Sequence, residues 1–444
     1  KGISNGLSDI ENDGADFGPD TPGTQTSGIQ EAINYLPQST NDYSGSGGGK
    51  IVLRSGLYQI ASQIVIPANY AYYLILEGEG MGTTELRWVS QSVPQYGMIT
   101  QTNFGNFNSP LPLNIVIIDM MLSAPASYPM YLLYLSPNNI IMNRVAFSSI
   151  EMLTQSATGS GYTFDFNDPP TTKPSLQGAY IASSNGNKQS FRECVFQGLA
   201  NGIYFYETYH VHVTRSMFAF TGRYQINGTY YNGTGLSGMY TQYGPAIVWD
   251  GGTGTFGRFV IERNHFFNDY TDLLIVNTSF NGKAIIRGNL FDGSTYNLII
   301  SSQSNSVELR ENTFTIGGSL LNNGIYSIDT STGSLSTTVN NVGMINNTFN
   351  INTSSTNNFN YPSITTPSVP ASGTAQQNTY LFPVEVYLNG GTVTQVTRTA
   401  GRTNYTVFSS SSGVALAGLT VRLEPADSIT ITYTAAPTWV WAPA

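Results

Sequence analysis

Between residues 261 and 349 the chain repeats one short pattern four times: an apolar residue, two further positions, then Asn, any residue, and Phe. The copies are Ile261-Glu262-Arg263-Asn264-His265-Phe266, Ile286-Arg287-Gly288-Asn289-Leu290-Phe291, Leu309-Arg310-Glu311-Asn312-Thr313-Phe314 and Met344-Ile345-Asn346-Asn347-Thr348-Phe349. Degenerate copies run from Phe191 to Phe196 and from Val213 to Phe218, and fainter echoes end at Leu122 and Phe147. From Leu122 to Phe349 these end positions are separated by 25, 49, 22, 48, 25, 23 and 35 residues. Each step is one or two turns of roughly 22 to 25 residues, lengthened where a loop is inserted.

Such a period, with strand-like alternation inside it, predicts a solenoid, because each repeat carries one apolar face that only its neighbours can cover. The Leu-x-x-Leu-x-Leu frame of leucine-rich repeats is absent. β-Branched and aromatic residues punctuated by Asn and Gly read instead as strand, tight turn, strand. Asn suits a turn that recurs on every repeat, since it tolerates left-handed dihedrals and its amide can bond to the next Asn in the stack. The predicted fold is all-β: a right-handed parallel β-helix over residues 1–356, with the Asn column at one corner and the Phe column inside. A linker is expected at 357–380 by its Pro, Ser, Thr and Asn content, and a small C-terminal β-sandwich at 381–444. Within that sandwich Asn389-Gly390-Gly391 reads as a hairpin turn. Near the N-terminus, Ser27-x-x-Gln30 has capping-box form, and Ile29, Ala32, Ile33 and Leu36 follow at helical spacing before Pro37. A short helix there would cap the open end of the solenoid.

Charge narrows the possible partners. Of 444 residues only 18 are Lys or Arg and 27 Asp or Glu, for a net charge of -9. No basic segment could neutralise a run of phosphates, so nucleic acid is excluded as an expected partner. The surface must be built from Asn, Ser, Thr, Gly and Tyr, and it changes charge little as pH falls, which suits an acidic exterior. The single cysteine, Cys194, excludes an internal disulfide framework; it occupies the Asn position of a degenerate repeat and reads as a buried, inert thiol. No apolar run approaches the roughly 20 residues of a membrane span. The chain begins at Lys1 rather than Met, compatible with a signal segment already removed or with a boundary placed there. Sequons at Asn227, Asn232, Asn277, Asn346, Asn352 and Asn404 are compatible with export and glycosylation.

The N-terminal third carries a family likeness. Asp13-Gly14-Ala15-Asp16-Phe17-Gly18, the Ile29-Gln30-Glu31-Ala32-Ile33 helix, Gly47-Gly48-Gly49-Lys50-Ile51-Val52-Leu53, Gly56-Leu57-Tyr58 and Leu76-Glu77-Gly78-Glu79-Gly80 together resemble the opening of the pectate-lyase-like superfamily. That resemblance implies a β-helix over residues 9–350 and, among its members, pectin-acting lyases, polygalacturonase-type hydrolases and viral tailspikes. The catalytic signatures Asn-Thr-Asp, Asp-Asp, Gly-His-Gly and Arg-Ile-Lys, and the Arg-x-Pro-x-x-Arg motif of one lyase group, do not occur in this chain. Catalysis is therefore not carried over from the family.

Alignment on the Asn column predicts a second series of strands at 131–135, 179–182, 203–206, 246–249, 273–276, 298–301 and 325–328. Two of the preceding loops, 151–178 and 222–245, are long enough to suggest function and are expected to wall a groove. Alternation turns Tyr180, Tyr204, Tyr206, Trp249 and Tyr326 outward, a strip fitted to stack on sugar faces. Glu207 and Asp250 follow in equivalent columns of neighbouring strands, about 4.8 Å apart, as a candidate catalytic pair of a glycosidase type; a turn carboxylate capping backbone amides is the plainer reading. His210, Arg258 and Lys283 stack in one column with Glu262 and Arg287 beside them, either an anion-binding strip or a solvated charge ladder. His210 and His212 alone do not make a metal site, and neither metal nor cofactor is expected. Two functions follow: an extracellular structural or adhesive protein of a surface appendage or virion with a glycan-contacting face, or a polysaccharide hydrolase or lyase. The expected partners are a polysaccharide or glycan and further copies in a homo-oligomer or filament, in a secreted or cell-surface setting.

Overall fold

The computed structural model describes residues 2–3, 16–36, 48–67, 73–94, 96–102, 114–155, 162–164, 170–171, 173–182, 188–226, 229–232, 244–250, 257–276, 283–301, 307–315, 325–328, 335–336, 342–345, 347–350, 365–380, 383–401, 403–424 and 426–443. These residues are nearly all β, with long parallel sheets and one α-helix among them, an architecture consistent with a β-helix solenoid. Among these residues no helix is long and apolar enough to cross a membrane.

From residue 188 to residue 301 each repeat contributes three strand segments, the first two being continuous in Asn114–Ala124 and Asn139–Ser149. A five-residue strand such as Arg258–Glu262 turns a corner into a three-residue strand, His265–Phe267, and both belong to one nineteen-stranded sheet. A second corner leads to a six-residue strand, Thr271–Val276, in a separate ten-stranded sheet. Successive repeats pair in parallel, so that Leu122, Phe147, Phe196, Phe218, Phe266, Phe291, Phe314 and Phe349 occupy one register column. From Phe147 to Phe314 the rings lie inside, with neighbouring centroids 4.7 to 5.1 Å apart and planes within 10° of parallel. The strands predicted for the second sheet are present, each within two residues of its expected start.

The Asn corner differs from expectation in one respect. The left-handed residue is the one before the Asn: Glu193, Arg215, Arg263 and Glu311 have φ of 52 to 56°, and Gly288 has 63°. The Asn side chains form a ladder instead. Asn289 Oδ1 accepts the amide of Asn264 at 2.9 Å and its Nδ2 at 3.1 Å, while Asn289 Nδ2 donates to Asn312 Oδ1 and to the Ile261 carbonyl, both at 3.0 Å. Asn312 and Asn347 repeat the arrangement. Ser216 and Cys194 continue the column in shorter form: the Ser216 hydroxyl accepts the Cys194 amide at 3.1 Å. Burial pushes the Cys194 thiol up to about 12, which keeps it protonated and inert as anticipated.

The helix, Ile29–Tyr35, packs buried Ile29, Ala32 and Ile33 into the same core as Ile51, Leu53 and Ile64. Its cap is not the predicted box. Gly28, at φ 83°, is the N-cap, and Ser27 donates instead to the Gln59 carbonyl. Gln30 covers a sheet edge: its side chain bonds both the amide and the carbonyl of Val65, in the edge strand Ile64–Ile66 of the ten-stranded sheet.

The C-terminal unit is one five-stranded antiparallel sheet. Val384–Ala400 and Thr403–Leu423 form a long hairpin that turns at Gly401, so Asn389-Gly390-Gly391 is an irregularity within a strand and not the expected turn. At that irregularity one edge of the strand changes partner, from Thr438–Pro443 to Ser428–Ala435, which bends the sheet around a single core holding Val386, Val396, Ile431 and Trp441. Residues 365–380, expected as linker, belong to this unit. Trp439 Nε1 donates to the Pro367 carbonyl at 2.7 Å, and Ala375–Gln377 pairs with Ser428–Thr430.

At the second corner, between the two large sheets, sits a buried charge cluster that the repeat pattern did not reveal. Asp269 and Asp272 are fully buried and Arg223 is 1% exposed. Asp269 accepts the Thr221 amide; Asp272 accepts Ser294 Oγ and Asn297 Nδ2; Arg223 donates to the Gly293 carbonyl and Thr295 Oγ1. Burial pushes Asp269 up to about 7 against the pull of Thr221 and Arg223, and burial together with the charge of Asp269 pushes Asp272 well up.

Two outcomes are expected. Asn289→Ala strips the ladder of hydrogen bonds to Asn264, Asn312 and Ile261 and should cost about 2 to 4 kcal/mol, seen as faster amide exchange in the flanking repeats. For the buried acids, folded pKa values lie above the unfolded value. Their stabilising contribution is thus fully present below about pH 4 and is lost as pH rises toward about 7. Melting temperature should fall across that window, and Asp269→Asn with Asp272→Asn should flatten the slope; an unchanged slope would contradict the assignment.

Candidate functional site

The outer face of the ten-stranded sheet carries most of the residues proposed for carbohydrate contact. Asn201–Tyr206 lies between Gln177–Ala182 and Pro245–Asp250, in the registers Tyr180, Tyr204, Val248 and Ala182, Tyr206, Asp250. Trp249 therefore aligns with Phe205 and points inward; it is 2% exposed and its ring stacks on Phe259 at 4.4 Å. The expectation of an outward Trp249 is corrected. The run Ala246-Ile247-Val248-Trp249 is apolar at every position, so no alternation marked which side faced the core.

Tyr180 and Tyr204 are outward, in a column with Tyr134. Rings stack from Tyr96 through Tyr134 and Tyr180 to Tyr204, with centroids 5.2, 4.7 and 5.1 Å apart and planes 16 to 21° from parallel. The faces of Tyr134 and Tyr180 are thereby covered by other tyrosines, and what they offer a ligand is the hydroxyl edge. Burial, first among the causes, pushes the Tyr134 hydroxyl up to about 12 and those of Tyr180 and Tyr204 higher. Past Tyr204 the column becomes apolar: Val248, Leu274 and Ile299 are buried in a small cluster of their own, outside the main core. Tyr326 is aligned with Ile299, and its side chain lies outside the described residues.

Glu207 and Asp250 are one residue out of step, since Asp250 aligns with Tyr206. Glu207 adopts φ 51° just past its strand and donates its amide to the Asp250 carbonyl at 2.8 Å. Asp250 Oδ2 accepts the Tyr204 hydroxyl at 2.8 Å. The Tyr206 hydroxyl bonds to Glu207; burial raises its pKa, and the charges of Glu207 and Asp250 add to that. The arrangement is two half-buried carboxylates about a half-buried phenol, each carboxylate engaged by a neighbouring tyrosine.

The two long insertions enter at the opposite end of these strands. Each contains a short antiparallel hairpin, Leu153–Gln155 with Tyr162–Phe164 and Arg223–Ile226 with Thr229–Asn232, and the Gln225 amide joins them by donating to the Pro170 carbonyl at 2.9 Å. Met152 packs with Phe220, and Gln197 Nε2 donates to the Met152 carbonyl. These described parts are anchored about 20 Å of strand length from Glu207 and Asp250. The groove expected between the insertions is therefore not one that these described parts wall around Glu207 and Asp250.

On the nineteen-stranded sheet the predicted charge column holds: His210 aligns with Arg258 and Arg258 with Lys283, while Glu262 aligns with Arg287. His212 Nε2 and Arg287 Nε lie 2.9 and 2.6 Å from the Glu262 carboxylate. Burial pushes that carboxyl up, but the bonds and charges of Arg287 and His212 outweigh it and hold it below the usual range. Lys188, in step with His210, was overlooked. It stands three residues before Phe191, as His210 stands before Val213 and Arg258 before Ile261, so the repeat frame carried the signal.

Of the sequons, Asn404 is exposed, its side-chain oxygen accepting the Thr399 hydroxyl at 2.8 Å. Asn227, Asn277, Asn346 and Asn352 lie outside the described residues, as does the side chain of Asn232. Among the described residues no three His, Cys, Asp or Glu side chains gather as metal ligands.

Neither a family model nor a curated protein matches the chain. A solved structure described as Geobacillus virus E2 - ORF18 superposes with a TM-score of 0.30 at 12% identity, covering 74% of this chain, which spans 61% of that one.

Proposed function

We propose that the chain is a right-handed parallel β-helix of the pectate-lyase-like type, serving as an extracellular structural or adhesive element of a surface appendage or virion, with a glycan-contacting face. The observation that carries a mechanical role is the unbroken register column from Leu122 to Phe349, with its ring stack inside and its Asn ladder at the corner. Such a rod resists bending because every repeat is tied to the next by backbone, side-chain amide and ring contacts. Buried acids that favour low pH, together with a surface poor in charge, support an acidic setting outside the cell. Glycan contact is assigned to Tyr206 with Glu207 and Asp250, whose carboxylates can accept sugar hydroxyls, and to the hydroxyl edges of Tyr180 and Tyr204. Copies of the chain assembling into a homo-oligomer or filament, and glycosylation at exposed Asn404, fit the same setting.

The second reading, a polysaccharide hydrolase or lyase, is favoured by one observation: Glu207 and Asp250 flank a tyrosine on neighbouring strands with their backbones hydrogen-bonded. A polysaccharide panel scored for both binding and reducing-end release separates the two. The adhesive reading expects binding without product, weakened about tenfold by Tyr206→Ala, within the usual cost of losing one aromatic anchor. Release of oligosaccharide that disappears in both Glu207→Gln and Asp250→Asn would replace it with the enzymatic one.

A further inference from the structure

The basic column on the nineteen-stranded sheet is distinct from the tyrosine face. Lys188, His210 and Arg258 are exposed, lie on three adjacent parallel strands in one register column, and their side chains have no ion-pair or hydrogen-bond partner among the described residues. The next cation in the column, Lys283, is engaged by Glu308 at 2.5 Å. On a chain of net charge -9 with 18 basic residues, Lys188 and Arg258 unpaired on either side of an imidazole are a local reversal of sign. They border an open groove of about 410 Å³, floored by Val260 and His212 and closed on its far side by the Glu262–Arg287 pair.

We propose that this groove binds a sulfate or phosphate ester carried on a sugar chain. Three donors reach it from one side: a guanidinium fork, an ammonium and an imidazole N–H. The outer two stand about 10 Å apart at their backbones, within convergence range of long side chains. A carboxylate has two oxygens and is satisfied by the guanidinium alone, whereas a tetrahedral ester presents three free oxygens, one for each donor. The groove is open and shallow, so the ester belongs to a chain lying across the strands rather than to an enclosed small molecule. Val260 gives that chain an apolar contact. The protein's overall negative charge repels a dense polyanion and tolerates a sparsely substituted one, which favours a sugar chain over nucleic acid. Glu262 does not oppose the ligand, because Arg287 and His212 already hold it.

The test is titration calorimetry of the intact chain with sparsely sulfated dextran, neutral dextran, carboxymethyl dextran and a single-stranded DNA oligonucleotide. Sulfated dextran is expected to bind, to weaken as salt rises, and to be displaced by inorganic sulfate or phosphate. Arg258→Gln should weaken it about tenfold, and Lys188→Gln with His210→Gln and Arg258→Gln should abolish it, with melting temperature unchanged because all three side chains are exposed. Equal binding of the carboxymethyl polymer would overturn the ester assignment, and tighter binding of the oligonucleotide would overturn the sugar chain. Unchanged affinity in the triple variant would overturn the site. Neutral-dextran binding lost in Tyr206→Ala but kept in the triple variant would report the other face, so the two readings fail separately.

Discussion

A buried amide at a chain corner has few ways to be satisfied, and parallel stacking supplies one of them. The Asn at each corner takes the backbone amide and side-chain amide of the repeat before it and gives its own to the repeat after it and to a carbonyl of the preceding turn. An Asn in this column can be satisfied only if its neighbour sits in step, so the ladder fixes register between repeats. Once register is fixed, the Phe two residues later must fall on the Phe below it, and the interior becomes a pile of rings at van der Waals spacing. The left-handed residue before Asn264 and Asn289 directs its amide to a carbonyl of the next repeat, which is why a residue as bulky as Arg263 adopts a positive φ there.

The same locking acts on the outer surface. Where like side chains recur at one position they stack: Tyr134, Tyr180 and Tyr204 share one column, and Arg258 and Lys283 another. Stacked tyrosines stabilise the column at the expense of the faces that a sugar would use. Stacked cations repel, and at Arg287 and Lys283 the repulsion is offset by Glu262 and Glu308. At Lys188 and Arg258, with His210 between them, no such offset stands among the described residues, and a column left uncompensated beside compensated neighbours is the place where an external anion is the natural counter-charge.

Charge is also scarce inside, and where it occurs it is concentrated at the second corner. Two fully buried carboxyls beside one guanidinium cannot all be ionised without leaving net negative charge in a medium that solvates it poorly. Protonation of an acid resolves this, so the cluster is better accommodated as pH falls.

The sequence by itself determined the repeat, its period, the inner Phe column, the strand positions on both sheets and the basic column from His210 to Lys283. It could do so because successive repeats pair in parallel and share one local environment, so sequence periodicity and spatial register are the same information. Only the tertiary structure decided features that depend on parity across a loop or on contacts from elsewhere in the chain. Trp249 turned inward because its strand follows an insertion whose length does not transmit side-chain parity, and an all-apolar run offers none of its own. Glu207 and Asp250 fell one residue out of step for the same reason. Asn389-Gly390-Gly391 looked like a turn by composition, yet a partner on either side holds it within one strand, and the Pro-rich stretch at 365–380 is held by tryptophans more than sixty residues away. The burial of Asp269 and Asp272 was likewise invisible, since an acid at a corner is ordinary in sequence and becomes unusual only when the neighbouring repeats and the Arg223 insertion close over it.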